Sequence, residues 1–286
     1  MACRAVRLWH RSFKRNGKEK MTQIVVTKLS IYPVKGCQAV HVDTMEIVNT
    51  GPRYDRQWLV VGADGKFISQ RSHPKLAVIS AYMKDDMLVL TISGHDSIMV
   101  EPTSEGDVIE ATLHKNIVKT VEQSAEVSRA LSDYLECNAK LVGFAKGFTR
   151  FITPDYAVTE SDQTLFADAF PSLIASEESL DDLNTRLESP VLMTRFRPNI
   201  VIKGLGAYDE DNFTRLRIGD VTFSAVKKCS RCTVTTVDQD TGMKGKEPLL
   251  TLSRYRNSEK GIMFGMNLIH DAPGVIRVGD RVELLK

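Results

Sequence analysis

From residue 23 to about residue 121 one strand-like run follows another. "QIVVTKLSIYPV", "VHVDTMEIV", "QWLVVGADGKFIS", "LAVISAYM", "DMLVLTIS", "DSIMVEP" and "NIVKTV" come in this order, with turn residues between them. "GADGK" (62–66) carries the Asp-Gly of a tight hairpin. Runs spaced this closely leave no room for intervening helices, so the stretch is expected to form a small sandwich or barrel.

The pattern changes near residue 122. In "SAEVSRALSDYLECN" (124–138), Val127, Ala130, Leu131 and Leu135 fall on one face at helical spacing. A strand, "AKLVGF", follows. "SEESLDDLNTRL" (176–187) reads as a second helix, with Ser176 and Ser179 in a capping arrangement, acidic residues in the first turn, and Leu180, Leu183 and Leu187 on one side. Beyond residue 198 strands return in "NIVIKG", "FTRLRIG", "VTFSAV" and "TVTTVD", then a helical "EPLLTLSRYR", then "GIMFGMNLIH" and "RVELL". "RIGDVTF" and "RVGDRVEL" echo each other through shared Gly-Asp turn chemistry. The expected fold is mainly β with α+β elements, two β-barrel-like domains and a few flanking helices. Residues 1–22 are set apart as a basic extension, 23–120 as the first domain and 121–286 as the second.

Hydrophobic residues make up 42% and charged residues 26% of the 286, as in soluble globular chains. No run of about 18 apolar residues occurs, so no transmembrane segment is expected. Residues 1–21 hold seven Lys/Arg and one Glu, a local charge of +6 inside a net charge of +2. The remainder is therefore slightly acidic, and no nucleic-acid-binding body is expected. The Arg-rich, acid-poor tail is similar in character to a mitochondrial presequence; the other reading is an upstream extension before Met21. Cytoplasmic location is the first expectation and mitochondrial the alternative. Five irregularly spaced cysteines without a secretory signal point to a reducing compartment.

Function turns on "AVKKCSRCTVTTVDQDTG" (225–242), where Cys229 and Cys232 form a CxxC beside Lys227, Lys228 and Arg231. A structural zinc site needs two more ligands, and no second pair exists. A redox dithiol opens a helix, whereas "TVTTV" reads as strand. Two readings stay open: half-buried strand cysteines, or a thiolate favoured by its cations, in surroundings that also attract an anion. A soft thiolate beside anion-binding groups suits a metal carried by an anionic organic cofactor. Lys35, Arg56 and Arg197 each stand where a strand run stops. Each reads either as a solvated loop cation or as a ligand, and convergence of the three would favour the second. Asp238 and Asp240 are candidate proton donors or turn caps.

The series "LSIYPVKG", "YDRQWLVV", "SEESLDDLN", "FRPNIVI", "CSRCTVTTVDQDTG", "EPLLTL" and "FGMNL" resembles the MOSC-domain family with its N-terminal β-barrel partner domain, and within it the amidoxime-reducing components and their bacterial relatives. The resemblance runs from residue 23 to the end and makes the two domains a MOSC N-terminal β-barrel domain and a MOSC domain. It implies a molybdenum cofactor (Mo-molybdopterin) with Cys232 as the protein's metal ligand and Cys229 as a neighbour. It implies cofactor-binding roles for Lys35, Gly36, Arg56, Arg197, Asn199, Ser230, Arg231 and Asn267. The implied reaction is two-electron reduction of the N–O bond of a small N-hydroxylated substrate.

Two positions depart from the family's eukaryotic members, which commonly have Ser at Gly36 and can present an aromatic residue at Asn267. No cysteine follows Cys232 to hold an iron–sulfur cluster. Electrons are therefore expected from a separate ferredoxin, flavin reductase or cytochrome b5 type partner. The alternative is a sulfur carrier using a cysteine persulfide, although nothing in the chain resembles the pyridoxal-phosphate domain of cofactor sulfurases. A third reading is a cofactor-storage protein.

Overall fold

The structure is a computed structural model that describes residues 23–285, so the basic extension and its presequence-like charge lie outside the described residues. The largest sheet has nine strands. Its path runs Val282–Leu285, Arg215–Ile218, Val221–Ser230, Gly261–His270, Ser172–Ser176, Ile200–Lys203, Val25–Ile31 and Val40–Val42, and the short Asn257–Ser258 pairs off this path. All pairings along the path are antiparallel except Ser172–Ser176 with Ile200–Lys203. The sheet curls until its ends meet: Val26 N–H donates to Asp280 O (2.9 Å) and Val282 N–H to Ile24 O (2.8 Å). Closure removes the open edges that a sheet of this size would otherwise expose. Leu29, Ile174, Ile200, Leu216, Phe223 and Leu268 fill its interior.

A second unit is built on four strands, Trp58–Gly62, Ala139–Phe144, Asn116–Glu122 and Val108–Leu113, and a three-stranded meander, Ser80–Lys84, Met87–Thr91 and Ile98–Val100. Helix α1 (Ala125–Leu135) packs into its core through the four residues read at helical spacing, Val127, Ala130, Leu131 and Leu135. Ser124 caps it by accepting from Val127 N–H at 3.3 Å. The Asp-Gly turn forms as expected, with Gly65 at φ +73° and Gly65 N–H donating to Gly62 O.

The two units do not divide cleanly along the chain. Residue 120 lies inside the strand Asn116–Glu122, α1 and Ala139–Phe144 belong to the first unit, and Val25–Ile31 and Val40–Val42 belong to the nine-stranded sheet. The run "VHVDTMEIV" splits at Asp43: Val40–Val42 pairs with Val25–Ile31, whereas Thr44–Val48 pairs with Gly274–Arg277. Among the described residues no helix is long and apolar enough to cross a membrane.

Helix α2 (Glu177–Asn184) begins where expected. The Ser176 hydroxyl accepts from Ser179 N–H (3.2 Å) and lies 3.0 Å from the fully buried Glu210 carboxylate. Burial pushes the Glu210 carboxyl up, and the hydroxyls of Ser176 and Ser179 oppose that rise. Ser176→Ala removes the cap and one donor to a buried carboxylate together, and is expected to lower unfolding free energy by about 1–3 kcal/mol in urea titration.

Candidate functional site

One cleft, with a cavity volume of about 150 Å³, lies where both units meet. Lys35, Gly36, Arg56, Arg197, Asn199, Ser230, Arg231, Cys232 and Asn267 all line it, joined by Cys229. Residues far apart in sequence converge here because three strand ends and turns open onto the same space.

The first strand stops at Pro33, which has no N–H for a ladder. Cys37 N–H then closes a turn on Val34 O, Lys35 N–H bonds Trp58 O (2.8 Å), and Gly36 takes φ +93°. A side chain at Gly36 would be strained by that backbone, while its Cβ would lie only 3.4 Å from Leu76. Here the position offers backbone: Gly36 O accepts from Gln70 Nε2 at 2.6 Å.

Arg56 and Arg197 share a wall. Both adopt left-handed backbone, φ +46° and +54°, which is uncommon for non-glycine residues and tends to occur at functional sites. Their guanidinium carbons each lie 4.2 Å from the centroid of the Tyr32 ring, so one buried aromatic faces two cations. Tyr32 is tied by its hydroxyl to Pro198 O (3.1 Å) and by its N–H to the buried Asp55 carboxylate (2.9 Å). Arg56 pairs with Asp55 and donates to Arg197 O (3.0 Å) and to Asn199 Oδ1 (3.1 Å). Asn199 is 1% exposed, and its amide also bonds Ser30 O (3.1 Å) and accepts from Leu173 N–H (3.2 Å). Its role is therefore to fix Arg56 in place.

Arg197 donates Nη1 to Gln239 Oε1 (3.1 Å), while its buried Nη2 has no partner among the described residues. Burial lowers its guanidinium to about 10, which leaves it charged at neutral pH. Burial raises the Tyr32 phenol to about 12. Lys35 Nζ donates to Phe166 O (2.9 Å) and pairs with Asp168, which also meets His114 Nε2 at 3.1 Å. Burial pulls the Lys35 ammonium down, and Lys35 holds the Asp168 carboxyl well below its ordinary range. Arg150 secures the loop carrying Asp168 through the carbonyls of Leu165, Ala167 and Asp168.

The CxxC departs from its sequence reading in two ways. Thr233–Thr236 is a 3₁₀ turn with Cys232 at its N-cap, not a strand. The threonine hydroxyls bond back into the turn, Thr235 Oγ1 to Cys232 O (2.9 Å) and Thr236 Oγ1 to Thr233 O (2.8 Å), which suits β-branched residues to it. Lys227 and Lys228 do not line the cleft: two irregularities in the strand Val221–Ser230 turn them toward Tyr156 and Asp211. The cations at the thiols are instead Arg231, whose Nη1 lies 2.9 Å from Cys229 Sγ, and Arg71, whose Nη1 lies 3.9 Å from Cys232 Sγ. Ser230 packs on Gly261, where a Cβ would meet its hydroxyl at 2.4 Å. Asn267 donates to Lys227 O (3.0 Å).

Asp238 is a turn cap: it accepts from Thr241 N–H (2.9 Å) and pairs with Arg195 (2.7 Å). Gln239, between the two aspartates, is the side chain of "VDQDTG" that reaches Arg197, and it pairs reciprocally with Gln70. Sequence reasoning missed Gln239, Arg71, Tyr32 and Asp168. Gln239 and Tyr32 lie inside the motifs "VDQDTG" and "LSIYPVKG", which was the signal on offer; Arg71 and Asp168 sit in loops outside them.

Five cations line the cleft, Lys35, Arg56, Arg71, Arg197 and Arg231, with one carboxylate, Asp168. Arg197 Nη2, Arg231 Nε and the Ser172 hydroxyl are buried without partners among the described residues. No group of three or more His, Cys, Asp or Glu able to cage a metal comes together among those residues. The donor set therefore fits a multiply charged anion that brings its own metal ligands, with one exposed thiol, Cys232, beside it.

Comparison with known proteins places the chain in a family. The profile of the MOSC domain matches residues 161–283, and that of the MOSC N-terminal beta barrel domain matches residues 23–138. Mitochondrial amidoxime-reducing component 1 of Mus musculus is 36% identical, over 97% of this chain and 87% of its own length. The chain belongs to the MOSC-domain family of amidoxime-reducing components. The human component 1 is 35% identical over 97% of this chain and 88% of its own length, and human component 2 is 34% identical over 96% and 87%.

The cleft should bind a small polyanion without any metal. Arg197→Ala or Arg56→Ala is expected to weaken inorganic pyrophosphate binding about tenfold or more by calorimetry, as loss of a charge-assisted hydrogen bond implies. Lys228→Ala, directed elsewhere, should leave that binding unchanged.

Proposed function

We propose that the protein is a molybdenum-dependent reductase of N-hydroxylated compounds. The observation that carries this reading is the juxtaposition of one exposed thiol, Cys232, with a surplus of buried and half-buried cations in a cleft lined by all the residues the family resemblance singles out. Names of relatives that are amidoxime-reducing components support the same reaction.

In this reading Lys35, Arg56, Arg197 and Arg231 hold the anionic part of a molybdopterin, and Cys232 supplies a thiolate to its metal. When bound, the cofactor supplies a two-electron redox centre for cleaving an N–O bond. Lys35 Nζ gives one N–H to Phe166 O and one to Asp168, so its third remains for the anion. The Gln70–Gln239 pair and Asn199 keep Arg197 and Arg56 from collapsing onto other acceptors. Phe67, Phe170, Phe196 and Leu173 give the cleft an apolar wall that excludes water and accepts the organic body of a small substrate. Net turnover consumes two electrons and two protons: the N–O bond breaks, oxygen leaves as water, and the nitrogen gains hydrogen. The electrons come from a separate carrier of ferredoxin, flavin reductase or cytochrome b5 type. The relatives' names favour the mitochondrial alternative over the cytoplasmic expectation.

The test is metal and pterin content, with benzamidoxime reduction, for protein from a host that makes the cofactor. Wild type and Cys229→Ala should carry molybdenum near stoichiometry and reduce the substrate; Cys232→Ala should lose the metal and at least about a hundredfold in rate, the scale of removing a ligand that sets a metal's reactivity. Metal-free wild type from a competent host, with labile persulfide sulfur on Cys229 or Cys232, would favour the sulfur-carrier alternative instead.

A further inference from the structure

The segment just after Gly242 carries an exposed apolar side chain with cations close to it in sequence. Met243 is 70% exposed, more than any other exposed large apolar side chain among the described residues. Lys244 and Lys246 follow it in sequence and are exposed, and Arg71 stands next to them. Lys244 Nζ donates to Arg71 O, so the two segments are joined. The acids nearby in sequence are Asp238, Asp240 and Glu247. Asp238 is engaged by Arg195 and Thr241, Glu247 accepts from Thr251 N–H (2.9 Å), and Asp240 lines a separate cleft beside Tyr32 and Pro198.

The patch is held firmly and close to the thiol. Asp238 N–H bonds Met243 O (2.8 Å) and Gly245 N–H bonds Thr236 O (2.9 Å), which lashes the hairpin to the 3₁₀ turn. That turn starts at Cys232, and Thr235 N–H returns to Cys232 O (3.1 Å). Gly242, at φ +71°, sets the bend over Pro74 and Lys75. Arg71 reaches back to 3.9 Å from Cys232 Sγ. The display is thus one short turn of chain from the proposed metal ligand.

We infer that Met243, Lys244, Lys246 and Arg71 form the docking face for an acidic one-electron carrier protein that reduces the site. The inference rests on the reductase reading above and adds where the electrons enter. Transient redox encounters need little area. An apolar, adaptable methionine followed in sequence by exposed cations supplies a small desolvated centre with electrostatic steering. Each turnover balances as two carrier molecules oxidised by one electron each and two protons taken from solvent, as one N–O bond is reduced to N–H and water.

The experiment uses the full-length, cofactor-loaded protein and two kinds of donor with benzamidoxime as acceptor. One donor is dithionite-reduced methyl viologen, small enough to need no docking face. The others are a reduced cytochrome b5 haem domain and a plant-type ferredoxin, both acidic. In Lys244→Glu/Lys246→Glu, kcat/KM for the better acidic carrier should fall about tenfold or more and its salt dependence should flatten. Viologen-driven turnover and molybdenum content should stay at wild-type values. Met243→Ser should lower carrier-driven turnover alone, and Lys227→Glu/Lys260→Glu, on the neighbouring cleft, should lower neither. An unchanged carrier rate in the first variant, an equal loss with viologen, or a loss that follows Lys227 and Lys260 would overturn the inference. So would wild type that turns over with viologen and accepts electrons from neither acidic carrier. Wild type that carries molybdenum but is inactive with viologen as well would overturn the reductase reading itself.

Discussion

Two guanidinium groups share the face-space of one buried phenol ring, and much of the site follows from that. Arg56 and Arg197 approach Tyr32 to the same 4.2 Å, yet among the described residues Asp55 is the one buried carboxylate that pairs with either of them. Like charges so placed repel, and burial makes the Arg197 guanidinium harder to keep ionised. The fold holds them by covering determinants: Asn199 and the Arg197 carbonyl for Arg56, the Gln70–Gln239 pair for Arg197, and left-handed backbone at both. What remains uncompensated is an orphan guanidinium nitrogen and a surplus of positive charge facing the cleft. An anion entering there relieves repulsion and satisfies donors at once. The cofactor proposed above is an anion of this kind.

The meeting of the two units explains why the chain does not separate into two independent barrels. The strand Val25–Ile31 that leads into Tyr32 and Lys35 runs in the nine-stranded sheet, but Lys35 N–H, in the turn after it, bonds the Trp58 carbonyl of the second unit. Arg56 lies on the connection into that second sheet and Phe166 N–H bonds its carbonyl. A cleft made this way depends on both units. The chain's thiols are differentiated by position: Cys37 lies fully buried with its thiol pushed up to about 12 by burial, whereas Cys232 is exposed and lines the cleft. Depth in the fold separates a core side chain from the thiol proposed as a ligand.

Local signals were legible because local physics produced them. The capped helices, the apolar face of α1 and the Asp-Gly hairpin depend on neighbours within a few residues. The change of sheet at Asp43 was hidden because strand alternation continues through it. The 3₁₀ turn after Cys232 was hidden because threonine favours strands until its hydroxyl finds a carbonyl. Lys227 and Lys228 looked like the cations of the CxxC because they are adjacent in sequence; strand irregularities send them elsewhere. Lys35, Arg56 and Arg197 stand out by type and position, yet the meeting of Arg56 with Arg197 across 141 residues, like the contributions of Lys35 and Arg71, belongs to tertiary structure.

The central claim is that Cys232 is the chain's own bond to the metal of a cofactor held by this cation cluster. X-ray absorption at the molybdenum edge tests it most directly, on loaded wild type and on Cys232→Ser, with Cys229→Ser alongside. The account predicts one metal–sulfur bond more in wild type and Cys229→Ser than in Cys232→Ser. An unchanged sulfur shell in Cys232→Ser, or a loss confined to Cys229→Ser, would contradict it.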